Sequence, residues 1–508
     1  MRRVGMLGGK LLITALVCSG CLGDPILPGE QPVPASEPVA PVQDLRGQVS
    51  FEPKLLFPVE PDDPTAEPLR SLLGQGWEPD LLWSAQGVPR GLDGSGPHFS
   101  EVEPEPIFPL IRVNINQDAS QQNPDLAVLQ GGQVVVTWTS KDGAKSDVAH
   151  RVFDVVGDQL VGITAEKVVF NDTDAGNKKQ LASRVLALPE TETVPAGYLL
   201  TWESKHSTSG DIYFQLFDTD GSARTEVIRA NLDALIGIQG TQRAPTALVL
   251  ADSFFLFWES GSNPDLYGSR WSFQGEALTD VLTMVDAAGP QREPRAMRVA
   301  GDQFALGWSN VAGEPFQVQL FSAVTAEPVG VPHQGADWVG DDQTLRDLYR
   351  DASGGGLVLW DATSESDGGG VFLRRYAQSG FASGDTLEIS ETGGADYRAG
   401  GVAVSDAGHL LVCYVSTDQG GTQGIVVRSL SLLSDDTVEW ATDEQALNVD
   451  PLGHYQLLET MQTEPRCRAL QGVERAVVVW SGVASFLPAG GTGNDTADIF
   501  ARVVPVAP

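Results

Sequence analysis

The chain has 508 residues, of which 42% are hydrophobic, 20% charged and 7% aromatic, with 56 glycines and 32 prolines. That is enough apolar material for a large core, a turn-rich composition, and more chain than one ordinary domain of ~100–200 residues uses. The 33 Lys and Arg against 67 Asp and Glu leave a net charge of −34, which argues against nucleic acid and against adsorption to anionic lipid heads, since both need a basic surface. The acidity itself reads as a solvated surface, with cations or basic partners as the alternative.

The chain opens with Arg2 and Arg3, a short apolar run LLITALV at 11–17, and small residues Ser19 and Gly20 before Cys21. The run is too short for the ~20 residues of a membrane span. Cys18 and Cys21 also spell CxxC, but a redox motif needs a folded βαβ context that an export core does not provide. The stretch resembles the lipobox of bacterial lipoproteins, although Cys18 stands where that pattern usually has Leu. The resemblance implies a signal peptide over 1–20, cleavage before Cys21 and acylation of its thiol; plain secretion is the alternative. Leu22, in place of Asp, implies by resemblance to the enteric sorting pattern a lipid-anchored protein of the cell envelope at the outer membrane.

Residues 21–106 form a second region. Eleven prolines lie between Pro25 and Pro68, with acidic residues interspersed. Proline removes backbone donors and favours extended conformations, so the region is predicted to be a disordered or semi-stiff tether with a reach of roughly 50 Å. PLRSLLGQGWEPDLLW at 68–83 is the apolar exception.

From residue 107 the chain repeats itself. QVVVTWTS at 133–140 returns as YLLTWES, FFLFWES, FALGWSN, GLVLWDA, LLVCYVS and AVVVWSG. The aromatics are Trp138, Trp202, Trp258, Trp308, Trp360, Tyr414 and Trp480. Each ends a run of β-formers, and a second strand such as DIYFQLFD at 211–218 follows after Gly, Asp, Ser and Asn; this is hairpin chemistry. With one strand upstream and one downstream, each repeat of ~50 residues holds four short antiparallel strands, the pattern of a β-propeller blade. Seven aromatics predict an all-β, seven-bladed propeller over 107–508, with a linear array or small sandwiches as the alternative. The last repeat lacks a fourth strand, and a spare one, FPLIRVNIN at 108–116, precedes the first. A ring explains both: the N-terminal strand completes the last blade.

The repeats resemble the tryptophan-rich propeller repeats of bacterial surface and secreted proteins, and the resemblance runs through the whole of 107–508. Only Trp360-Asp361 gives the dipeptide of WD repeats, without its paired GH, and no sialidase Asp-box stands at matching places in the repeats. The aromatics are expected to fill the gaps between blades; a ring of sugar-stacking faces is the sharper reading.

Chemistry is sparse. There is no GxSxG, no HExxH, and the six histidines have no ligand spacing. DTDG at 218–221 and NDTDAG at 171–176 lack a full calcium-loop ligand set, so they read as Asx turns, with a structural calcium ion as the alternative and no other cofactor expected. Cys413 and Cys467 lie in adjacent repeats; a disulfide and two buried thiols are both open. Arg243, Arg295, Arg346, Arg398 and Arg466 each stand at a nearly constant spacing ahead of the aromatic of their own repeat, with Asp125 in that place in the first repeat. They are expected at one level near the channel, either stitching blades together or forming an anion site at the mouth. No catalytic residue can be singled out. The expected function is a non-enzymatic surface binding or scaffold module for protein or glycan ligands. The alternative is a glycoside hydrolase or lyase with paired carboxylates at one mouth of the channel.

Overall fold

The computed structural model describes residues 109–506, except for segments at 143–144, 170–178, 206–209, 232–239, 300, 312, 336–341, 351–354, 365–367, 377–381, 391–395, 418–422, 433–437, 441, 449–454, 458–461 and 487–495. The export signal with Cys21, the Pro-rich region and the NDTDAG segment at 171–176 lie outside the described residues.

Every element in the described residues is a strand. Their order resolves into seven antiparallel units of four or five strands. The first two units share a single parallel pair, Ser146 with Lys179, and the others stand as separate sheets. The innermost strands of the seven blades are Ser120–Val128, Lys179–Leu188, Gln242–Val249, Arg292–Arg298, Asp342–Arg350, Asp396–Val404 and Thr463–Ala469. Each neighbours the next, and the seventh returns to the first. The molecule is therefore an all-β propeller.

The ring closes through the N-terminal strand Ile111–Arg112. Ile111 opposes Ala501 and Arg112 opposes Phe500 on the outer strand Ala497–Pro505 of the last blade. The Val113 amide donates to Ile499 O at 2.8 Å, and Asn114 Oδ1 accepts the Ile499 amide at 2.8 Å. Closure removes the open edges that a linear array would leave.

The repeated aromatics explain the rest of the packing. Their exposures are 0–1%. Each sits in a different apolar cluster between two blades: Trp202 with Val135 and Val148 of the blade before it, Trp258 with Leu199 and Phe214, Trp138 with Val477 and Val479 across the closure. Their indoles present no face to a ligand, so stacking on sugars is not their role. Truncating one such ring in a close-packed gap costs about 3–5 kcal/mol.

Candidate functional site

The inner strands share one irregularity. Register against the second strand shifts between Gln122 and Asp125, Leu181 and Arg184, Arg243 and Thr246, Arg292 and Arg295, Leu345 and Asp347, Ala399 and Gly401, and Thr463 and Arg466. Five of these bulges contain a residue with positive φ: Asn123, Ala182, Ala244, Glu293 and Glu464, at 50–57°. Left-handed backbone at a non-glycine residue costs on the order of 1 kcal/mol and gathers at functional sites. Bulges commonly re-aim side chains there. Here they turn the start of each inner strand into one mouth of the central channel.

The bulges revise the expected arginine ring. The five arginines occupy three positions rather than one level. Arg295 and Arg466 follow the bulge, Arg346 lies inside it, and Arg243 and Arg398 precede it. A bulge adds residues to one strand only, so counting back from the aromatic loses register across it. Arg184, on the disturbed second repeat, takes the same post-bulge place as Arg295 and Arg466. Four of the five arginines, together with Arg184, line a cavity of about 400 Å³ at the mouth; Arg243 stands beside Glu259, Nε to Oε1 at 3.2 Å. A second cavity of about 180 Å³ continues down the channel past Asp125, Arg184, Arg295, Asp347, Arg466 and Arg468.

Several of these guanidinia tie blades together. Arg295 Nε donates to Arg346 O at 2.8 Å, and Arg466 donates to Gly400 O. Arg346 forks onto both oxygens of Asp361. Arg468 Nη1 donates to Asp347 Oδ2 at 3.1 Å, from the seventh blade to the fifth. The blade between supplies Gly401, where a Cβ would lie 3.5 Å from Asp347 Oδ2 and 3.6 Å from Arg468 Nη1.

The carboxylates come from a column not singled out from the sequence, the residue just after each aromatic. Glu203 accepts the Ala244 amide of the next blade, Glu259 accepts the Glu293 amide at 3.1 Å, and Asp361 accepts the Ala399 amide at 3.3 Å. Ser309 likewise accepts the Leu345 amide, whereas Ser481 donates its hydroxyl to Gln121 O. The repeated text WES, WES and WDA was the available signal.

Two of these acids, Glu203 and Glu259, are electrically coupled to each other and, through Glu259, to Glu293 in the bulge of the fourth blade. Burial, reinforced by the charge of Glu259, pushes the Glu203 carboxyl above its ordinary value. Burial, with the charge of Glu293 adding to it, likewise raises Glu259. Glu293 goes the other way. Desolvation opposes its charge, but Arg295, Arg346, Arg184 and Arg466 outweigh it and hold the carboxyl below its ordinary value. Glu293 lines the mouth cavity, while Glu203 and Glu259, each 6% exposed, accept the amides of the lining residues Ala244 and Glu293. Neighbouring carboxyls driven apart in acidity can divide between proton donor and ionised base or nucleophile.

The remaining candidates fall elsewhere. Cys413 and Cys467 are buried free thiols and do not form the disulfide considered above; their sulfurs lie against Gly401 O at 3.6 Å and Leu411 O at 3.7 Å. In the DTDG segment Asp218 pairs with Arg224 at 2.8 Å and Asp220 accepts from Ser222, an Asx turn. Among the described residues no group of three or more His, Cys, Asp or Glu has a metal-holding arrangement. His150 is buried against Tyr198, whose hydroxyl lies 2.9 Å from Nδ1; burial, with Lys167 adding, lowers its pKa to about 3. His409 pairs with Glu474 at 2.9 Å.

No family model matches the chain, and no curated protein matches it. Among solved structures it is similar to the α-L-arabinofuranosidase Arb93A of Fusarium graminearum in complex with an iminosugar inhibitor, at 12% identity, covering 79% of this chain and 98% of that one, with a TM-score of 0.38. It is also similar to an α-L-arabinanase of Penicillium chrysogenum complexed with arabinobiose, at 13% identity over 67% and 97% of the two chains, TM-score 0.42. A third is a polysaccharide lyase of family PL25, an ulvan lyase, at 11% identity over 78% and 96%, TM-score 0.46. The expectation of a non-enzymatic binding or scaffold module is corrected here: the similar solved propellers are glycan-cleaving enzymes. At these identities the likeness is one of fold, and the chemistry must come from the chain's own residues.

Proposed function

We propose that this protein is a carbohydrate-active enzyme that cleaves a glycan at the bulged mouth of its propeller channel. One observation carries the reading: Glu203, Glu259 and Glu293, on three consecutive blades, are coupled carboxyls with opposed shifts in acidity beside a cavity of about 400 Å³. That volume lies within the range of ligand pockets, roughly 300–1,000 Å³. In this reading Glu259 holds the proton that a departing sugar oxygen needs, with burial and the charge of Glu293 opposing its ionisation. Glu293, ionised among the arginines and facing the cavity, acts as base or nucleophile. Its left-handed backbone aims the carboxylate, and Glu259 holds that backbone through the amide hydrogen bond.

The cellular setting is part of the proposal. Residues 1–20 direct export, Cys21 carries lipid, and 21–106 hold the propeller, 107–508, away from an envelope membrane, where a glycan substrate would be met.

The test is an incubation of the full chain with neutral and acidic polysaccharides, reading reducing ends for hydrolysis and the ultraviolet absorbance of unsaturated uronate for elimination. Cleavage is expected to fall at least ~100-fold in Glu259→Gln, with the melting temperature retained because Gln can still accept the Glu293 amide. Wild-type rates in Glu259→Gln and Glu293→Gln would overturn the assignment.

A further inference from the structure

The mouth and the channel below it carry six arginines, at 184, 295, 346, 398, 466 and 468, against four carboxylates, Asp125, Glu293, Asp347 and Glu464. In a chain of net charge −34 such a wall needs explaining. The carboxylates offset this charge only in part: Glu293 and Asp347 act on Arg295, and Asp125 and Asp347 on Arg466, which leaves six positive charges against four negative ones, and each carboxylate also serves a partner of its own. Asp347 is taken by Arg468 and also accepts the Val402 amide at 3.4 Å. Asp125 accepts the Val185 amide at 3.1 Å, and Glu464 accepts the Asn123 amide at 2.6 Å. Arg346 is matched by Asp361. Glu293 approaches Arg295 and Arg346 only at 3.9 and 3.8 Å.

What remains is a group of three post-bulge arginines from blades two, four and seven. The hydrogen bonds of Arg295 go to the carbonyls of Pro294, Arg346 and Glu293, and those of Arg466 to the carbonyls of Gly400 and Pro465. Carbonyls satisfy N–H groups without cancelling charge. Arg184 makes no side-chain hydrogen bond or ion pair among the described residues, yet lines both cavities. The three also repel one another. Burial, then the charge of Arg184, brings the Arg295 guanidinium down to about 9, and the same two causes lower Arg466. A fold that holds cations together against repulsion and desolvation, on strained backbone, is poised for a counter-charge from outside.

We infer that Arg184, Arg295 and Arg466 form an anion subsite in the throat of the channel, which takes a carboxylate or sulfate group carried on a sugar ring seated at the mouth. Guanidinium forks suit both groups geometrically. The inference rests on the glycan reading above and narrows it: the substrate is an acidic polysaccharide, with its charged ring seated beside Glu293 and anchored from below.

The test uses calorimetric titration of the full chain with sodium sulfate, sodium glucuronate and glucose at constant ionic strength. Sulfate or glucuronate is expected to bind at least about tenfold more tightly than glucose, and to weaken as salt is raised. Sulfate alone would identify a sulfate ester as the group recognised, glucuronate alone a uronate. Arg184→Ala should lose about tenfold or more of that affinity while melting like the wild type, because its side chain supports no other group; Arg184→Lys should recover part of the loss. Equal binding of glucose, or an Arg184→Ala variant that binds both anions as the wild type does, would overturn the subsite. Anion binding without cleavage of any glycan would remove the catalytic reading and leave the subsite standing; cleavage of neutral glycans without anion binding would do the reverse.

Discussion

The closing strand is where the ring is most open to a quantitative challenge. Leu110, 6% exposed, packs with Cys413, Cys467 and Trp480 in the gap between blades six and seven. Val113, fully buried, packs with Trp138, Val479 and Ile499 in the gap between blades seven and one. One short segment thus contributes buried side chains to two inter-blade cores. Leu→Ala in such a core costs about 2–5 kcal/mol, and Val→Ala, removing two methyl groups, about 2 kcal/mol. The double variant Leu110→Ala/Val113→Ala should therefore lose roughly 5 kcal/mol, comparable with the whole stability of a marginal domain. For a propeller of this size, with unfolding entropy growing in proportion to chain length, this corresponds to a fall in melting temperature of roughly 6 °C. Ile115, 52% exposed and just beyond the paired segment, is the control, with Ile115→Ala expected to shift stability by less than about 0.5 kcal/mol. Calorimetric scans of the three proteins decide it. If the double variant melts with the control, the N-terminal strand is not what closes the ring.

Three further outcomes are expected. The Glu203 and Glu259 carboxyls titrate above their ordinary value of 4.5 in the folded state, so their contribution to stability is full below that value and is lost as pH rises through the folded pKa. Glu203→Gln should therefore gain on the wild type as pH rises from about 4.5 toward neutral, and a stability difference that ignores pH would count against the shift. Burial pushes the Cys467 thiol up, and both inner cysteines are wholly buried; peptide mapping after maleimide treatment should find Cys413 and Cys467 unlabelled in native protein and labelled after denaturation, whereas rapid native labelling would contradict their place between blades. Cys21→Ala should release the protein from the membrane fraction, and its retention there, with no fatty acid incorporated in the wild type, would remove the lipid anchor.

Local patterning was enough to write down the propeller. Alternating β-formers, hairpin turns and one aromatic in every repeat are short-range signals, and the missing fourth strand at one end matched a spare strand at the other. Burial of the aromatics follows because a large ring at a repeated strand position has only the gap between blades to occupy. The bulges were partly legible too: Pro124, Pro245, Pro294 and Pro465 each stand one residue after a left-handed position. What spacing alone could not carry was register across those bulges, so five arginines that count to similar places settle at three positions while Arg184, hidden by an insertion, joins the throat. The acids could not be chosen among 67 from the chain alone, because nothing local separates Glu203, Glu259 and Glu293 from the others. Their shifted acidities arise only when three blades bring them beside one another and beside arginines as remote in the chain as Arg184 and Arg466. Charge coupling and desolvation depend on distance in space, and that is decided by ring closure rather than by any stretch of sequence.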